Sequence, residues 1–279
     1  MPGSALPGQG DLFAGGGWDA PVRAATAPRV SGPIDPRTVD DRLLLEKLPL
    51  VGSADCSAYV DEAVRRQVAG AVPALDALCR RFKGFGMSHP VREQTVALAG
   101  LAAIGGPEAA ATVQRLLTDH VVAEPGLSFA LNAAARLRVR VPPTIVHAAL
   151  NAREPDLRAS ACRCACFWPA AVPRLIELLE DLHHDVAREA AIVLGVLGRC
   201  EAVPFLVGLV MREPTNEVIE ALVTVGDDEC FVTLGRVADV WPDLRHLVIR
   251  ALAACDHRLA ITLLRRIDPD QPMIVTDES

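Results

Sequence analysis

The 279-residue sequence predicts an all-α solenoid of about seven helix–turn–helix repeats. Three observations carry that reading. Apolar residues make up 51% of the chain but aromatics only 4%, so the apolar content is Ala, Leu and Val, a mix that suits close helix packing better than a β-sandwich. From about residue 57 an opening signal recurs, a proline or an acidic residue just ahead of a helical pattern; Asp156 and Asp185 lie 29 residues apart, and Asp185 and Asp243 lie 58, twice that. Each signal leads into small and apolar residues at helical spacing, and a second helical stretch follows after a short turn.

Taken in order, residues 1–39 are expected to be a disordered Gly/Pro-rich tail, because the first 36 residues hold seven Gly and six Pro. Two apolar clusters interrupt it, Leu12-Phe13 and Trp18. They read either as a docking peptide, since aromatic anchors dominate interfaces, or as residues without a role. Residues 40–56 read as a capping segment, with a short helix over 40–50 that carries Leu43, Leu44, Leu45 and Leu48.

The repeats occupy 57–270. First helices open at His89-Pro90, Glu124-Pro125, Glu154-Pro155-Asp156, His184-Asp185, Glu213-Pro214 and Trp241-Pro242-Asp243. The clearest runs Val186, Ala190, Ala191, Leu194, Leu197, with Asp185 as the expected N-cap and Gly198 as the expected C-terminal stop. Second helices open at Ala71, Ala109, Val141, Ala171, Ala202, Cys230 and Leu259, several with proline in the first turn, where its missing N–H costs nothing. In the first repeat, 57–84, only the second helix is clear. One such pair cannot bury its apolar face alone, whereas stacked pairs share a continuous core. Residues 271–279 read as a short polar tail.

Composition also excludes classes. No stretch of 18 uncharged apolar residues suggests a membrane span, and no basic segment followed by an apolar one opens the chain; both point to the cytoplasm. Most of the eight cysteines sit inside helical patterns, where a reduced thiol acts as a small hydrophobe. The net charge of −7 is uneven: residues 57–167 carry +4 and residues 168–279 carry −9. A bipolar rod fits this distribution, and a general nucleic-acid binder does not.

The Asp-Val/Leu-x-Arg opening, the run Leu194-Gly195-Val196-Leu197-Gly198 and the Ala-Val-Pro-x-Leu start of the second helix at Ala171 and Ala202 resemble bacterial HEAT repeats. The likeness is to the short class found in phycobilin-lyase-like proteins. It covers roughly residues 57–270 and is strongest at 155–210. The resemblance implies a right-handed α-solenoid of HEAT-like repeats with the second helices lining a concave face. It also implies an adaptor or assembly factor that binds protein partners, with no cofactor.

Enzymatic relatives test poorly against the residues. Deoxyhypusine hydroxylase-like chemistry requires His-Glu pairs to hold iron, and none of the seven histidines precedes Glu. Cys162-x-Cys164-x-Cys166 on a helix turns Cys164 away from the other two, so it offers at most two ligands to a tetrahedral metal; it reads as core. His183-His184-Asp185 reads as a helix start rather than a metal or acid–base cluster. No nucleophile elbow or phosphate loop occurs.

The chain is therefore expected to be a non-catalytic scaffold without metal or cofactor. Its contact candidates are Arg65, Arg66, Arg80, Arg81 and Lys83 in the first repeat, and Phe13 and Trp18 in the tail. A second basic group, Arg136, Arg138 and Arg140, surrounds a later turn. Both groups also read as ordinary solvated helix surface. Alternatives are nucleic-acid binding through the basic repeats, and lyase chemistry on a tetrapyrrole.

Overall fold

The computed structural model describes residues 34–86 and 88–269, and every regular element among them is helical. The polypeptide opens with α1 (Asp41–Lys47), capped by the Asp40 side chain accepting from the Leu43 N–H, and continues into a single 3₁₀ turn. Seven helix pairs follow: α2 (Cys56–Arg66) with α3 (Ala71–Arg81), α4 (Arg92–Ile104) with α5 (Gly106–Thr118), and α6 (Glu124–Arg136) with α7 (Pro143–Leu150). Next come α8 (Pro155–Ala165) with α9 (Val172–Leu178), α10 (His184–Val196) with α11 (Val203–Val210), α12 (Asn216–Val225) with α13 (Asp228–Val240), and α14 (Arg245–Ala253) with α15 (Arg258–Ile267). The first pair, of which the sequence shows only the second helix plainly, has a full first helix of 11 residues.

Packing is sequential, as a solenoid requires. Each first helix lies against the first helix of the next pair, from α2 through α14. The apolar side chains between layers form one continuous core from Leu44 to Leu263. Small residues set the spacing of the first helices. A Cβ added at Gly100 of α4 would come within 2.5 Å of Val60 on α2, and one added at Gly195 of α10 within 2.7 Å of the Ala221 Cβ on α12.

The second helices are close neighbours only towards the ends of the array, at α3–α5, α11–α13 and α13–α15.

Four first-pair or mid-array helices end alike. After α2, α5, α6 and α10 one residue turns left-handed: Gln67, His120, Arg138 and Gly198. The N–H one residue further on then bonds back across five residues, as Arg199 does to Leu194 and Val139 to Ala134. This is the Schellman geometry, and only the last of the four uses glycine. Gly198 thus stops its helix as expected. Asp185 does not cap it: the N-cap position is His183, and Asp185 sits inside the first turn. There its carboxylate faces the positive end of the helix dipole. The cap contact comes from outside, where Asp181 accepts the His183 N–H at 2.9 Å.

The boundary of the Gly/Pro-rich tail also moves. Residues 34–39, assigned to it by composition, are held by Arg66, which donates to the carbonyls of Pro36, Arg37 and Val39 at 2.8–3.1 Å. Tyr59 donates its hydroxyl to the Ile34 carbonyl. Arg66 also meets Glu62 at 2.6 Å, and hydrogen bonds from Arg65 and Arg66 hold the Glu62 carboxyl down at about 2. On the second helix of the same pair, Arg81 donates to the carbonyls of Pro49 and Val51. Two arginines thereby lace the capping segment to the solenoid. Among the described residues no helix is long and apolar enough to cross a membrane.

Candidate functional site

A groove of about 730 Å³ crosses the first-helix layer from α6 to α12. Its walls follow from the repeat register. Equivalent positions of successive repeats line up across the layer, so Asn132, Arg163 and Ile192 form one row, at spacings of 31 and 29 residues. Arg136, Phe167 and Val196 form a second row at the same spacings. Neighbouring helices thus present side chains side by side.

One polar ladder crosses three of these helices. Glu189 of α10 accepts two hydrogen bonds from Arg163 of α8, both at 2.8 Å, and one from Arg188 at 2.7 Å. Arg163 donates its remaining arm to Asn132 of α6 at 3.0 Å. The hydrogen bonds that Arg163 donates to Glu189 raise the guanidinium above its ordinary value, so it stays charged. Glu189 is 7% exposed, while Arg163 remains 44% exposed. The carboxylate is therefore consumed in holding the two guanidiniums, and unused N–H groups of Arg163 face the groove.

The lining charges do not cancel. Arg136, Arg138, Arg163 and Arg188 stand against Glu189 and Glu217, a net +2 in a chain whose net charge is −7. Beside them lies an apolar strip of Phe167, Ile192, Val193 and Val196, and Val196 is 49% exposed. Such a surface can take carboxylates in the forked geometry of arginine while it buries an apolar side chain nearby. A smaller apolar cleft of about 350 Å³ lies on the other side, between α5 and α7, where consecutive second helices part.

The residues singled out in the sequence lie elsewhere. Arg65 pairs with Glu62, and Arg66 with Glu62 and Asp41. Arg80 bonds Asp76 and, across to the next pair, Asp119. Arg81 is spent on the capping segment and lies over the Phe82 ring at 4.5 Å. Lys83 is exposed just beyond α3. Arg66, Arg80 and Arg81 tie elements together, while Arg65 bonds only Glu62 of its own helix and stays exposed. Phe13 and Trp18 lie outside the described residues. Of the second basic group, Arg136 and Arg138 do line the groove, while Arg140 stacks over Trp168 at 4.3 Å.

Cysteine chemistry is confined by burial. Cys162 and Cys164 are fully buried, which pushes both thiols up to about 12, and Cys164 donates to the Leu131 carbonyl at 3.3 Å. Cys166 is half-buried at the groove edge, and Cys200 is exposed. Among the described residues no three His, Cys, Asp or Glu side chains converge as metal ligands would.

Comparison with known families places the central repeats. Residues 142–226 match HEAT repeats. The match runs from α7 to α12 and includes α8 and α10, the two central helices of the groove. No curated protein matches the chain. Most of the groove therefore lies in the segment that matches HEAT repeats, with its α6 wall just before it.

Proposed function

We propose that the chain is a non-catalytic interaction scaffold that holds an acidic segment of a partner protein in the groove across its central HEAT repeats. One observation carries the proposal: an overall acidic molecule keeps a net-positive groove with an apolar strip, built from the same position of successive repeats. Repeat arrays use such extended faces for binding, and the arginine-to-carboxylate fork supplies orientation where the apolar strip supplies burial. The apolar strip beside the arginines favours a peptide, which can bury a side chain there, over a phosphate backbone.

The test is affinity isolation with the full chain and with Arg136→Glu/Arg138→Glu, read by mass spectrometry and then by titration of the recovered partner. Neither arginine is part of the Glu189 ladder, so the fold should persist. We expect the double reversal to weaken partner binding by tenfold or more. Recovery of nucleic acid that dissociates with salt, or of a partner indifferent to the reversal, would overturn the reading.

A further inference from the structure

We infer that the chain carries its own occupant for this groove: the segment Asp11-Leu12-Phe13 to Trp18-Asp19 docks there in cis and competes with the partner. The inference rests on the groove reading above, and it assigns a role to tail residues that lie outside the described residues.

Complementarity is the first argument. Residues 8–20 contain two aspartates, no basic residue, and three of the chain's largest apolar side chains, Leu12, Phe13 and Trp18. Asp11 lies beside Leu12-Phe13 and Asp19 beside Trp18, so each anchor has an adjacent carboxylate. The groove offers the converse, exposed guanidiniums beside Phe167 and Val196.

Placement is the second. The described chain begins at Ile34, whose carbonyl is held by Tyr59 of α2. That helix is the first member of the layer that carries the groove, so the N-terminal segment starts on the correct side. The C-terminal residues are also acidic, but they leave from α15, a second helix, on the opposite layer.

Reach is the third. Trp18 precedes Ile34 by 16 residues, and an extended chain covers roughly 3.3–3.6 Å per residue, or about 55 Å. From α2 to α8 is three helix steps of roughly 8–10 Å each, about 30 Å. A tether of this length gives an effective concentration on the order of 1 mM, so a segment with a Kd of about 0.1 mM would lower the apparent affinity of any competitor about tenfold.

The experiment uses a fluorescently labelled peptide of residues 8–22 and three full-length chains: wild type, Phe13→Ala/Trp18→Ala, and that variant carrying Arg136→Glu/Arg138→Glu as well. Circular dichroism confirms each fold, and Val196→Asp replaces the charge reversal if that chain misfolds. We expect the peptide to bind the Phe13→Ala/Trp18→Ala chain about tenfold more tightly than wild type, and the added groove substitutions to abolish binding. Equal affinity for wild type and the alanine variant would overturn docking in cis. Peptide binding that ignores the groove substitutions, or no binding to any chain, would overturn the assignment of this segment. The groove itself would still stand if partner capture remained sensitive to Arg136→Glu/Arg138→Glu. Sedimentation closes the remaining route, because a wild-type dimer that dissociates on Phe13→Ala/Trp18→Ala would mean the segment occupies a second copy.

Discussion

Gly195 lies in the last turn of α10, where helix propensity still favours alanine over glycine, by up to about 0.5–1 kcal/mol. Here the neighbours decide otherwise. A Cβ at this position would lie 2.7 Å from the Ala221 Cβ and 2.8 Å from the Leu206 side chain. Leu206 has rotatable bonds with which to yield, but the Ala221 Cβ is fixed to the backbone of α12. The two helices must therefore separate, and overpacking of that kind costs about 1–3 kcal/mol. Gly195→Ala should lower the unfolding free energy by about 2 kcal/mol in urea titration. A stabilised variant would mean that the spacing of the first helices is set elsewhere. The same reasoning explains why the groove is accessible at all: glycine and alanine on the core side bring the first helices together, so that residues on the opposite side, Arg163 and Glu189, meet at 2.8 Å.

The helix ends show how local signals can be met by different residues. Gly198 announces its stop in the sequence, whereas Gln67, His120 and Arg138 adopt the same left-handed turn without glycine. For a non-glycine residue that conformation costs roughly 1–2 kcal/mol, part of which glycine would return as lost chain entropy. His120→Gly should therefore stabilise the protein by about 0.5–1 kcal/mol, seen as a higher melting temperature with α5 and α6 unchanged. A lower melting temperature would show that the imidazole makes a compensating contact. The seven helix pairs were legible because proline, acidic residues and small apolar residues recur on a period near 29 residues. The groove was less so. Its rows, Asn132-Arg163-Ile192 and Arg136-Phe167-Val196, recur at the same spacings as the core, but their chemistry changes from repeat to repeat and leaves no motif. The cluster from Arg65 to Lys83 was legible as charge, but a local cluster says nothing of the carbonyls and carboxylates that the fold brings to Arg66 and Arg81.

Because each pair touches only its neighbours, the array has no central core whose loss unfolds everything at once, and its ends must be secured separately. Arg66 is the fastening at the N-terminal end. It joins Glu62 and Asp41 to three carbonyls of residues 36–39, so its removal takes from buried Glu62 one of its two arginine partners as well as releasing the segment before α1. Nearest-neighbour stability then makes a spatial forecast. In Arg66→Ala, amide hydrogen exchange should quicken through residues 34–66 and, more weakly, in α3 and α4, while α8 to α13 keep their protection. Acid should act on the same place, since the low value of Glu62 adds stability that is fully present above about pH 4.5 and is lost as the pH falls towards 2. A uniform rise in exchange along the whole chain would show instead that the seven pairs open as one cooperative unit. Partner binding tells these cases apart in a second way. If opening is confined to the end, the groove from α6 to α12 keeps its shape, and Arg66→Ala changes partner affinity far less than Arg136→Glu/Arg138→Glu does.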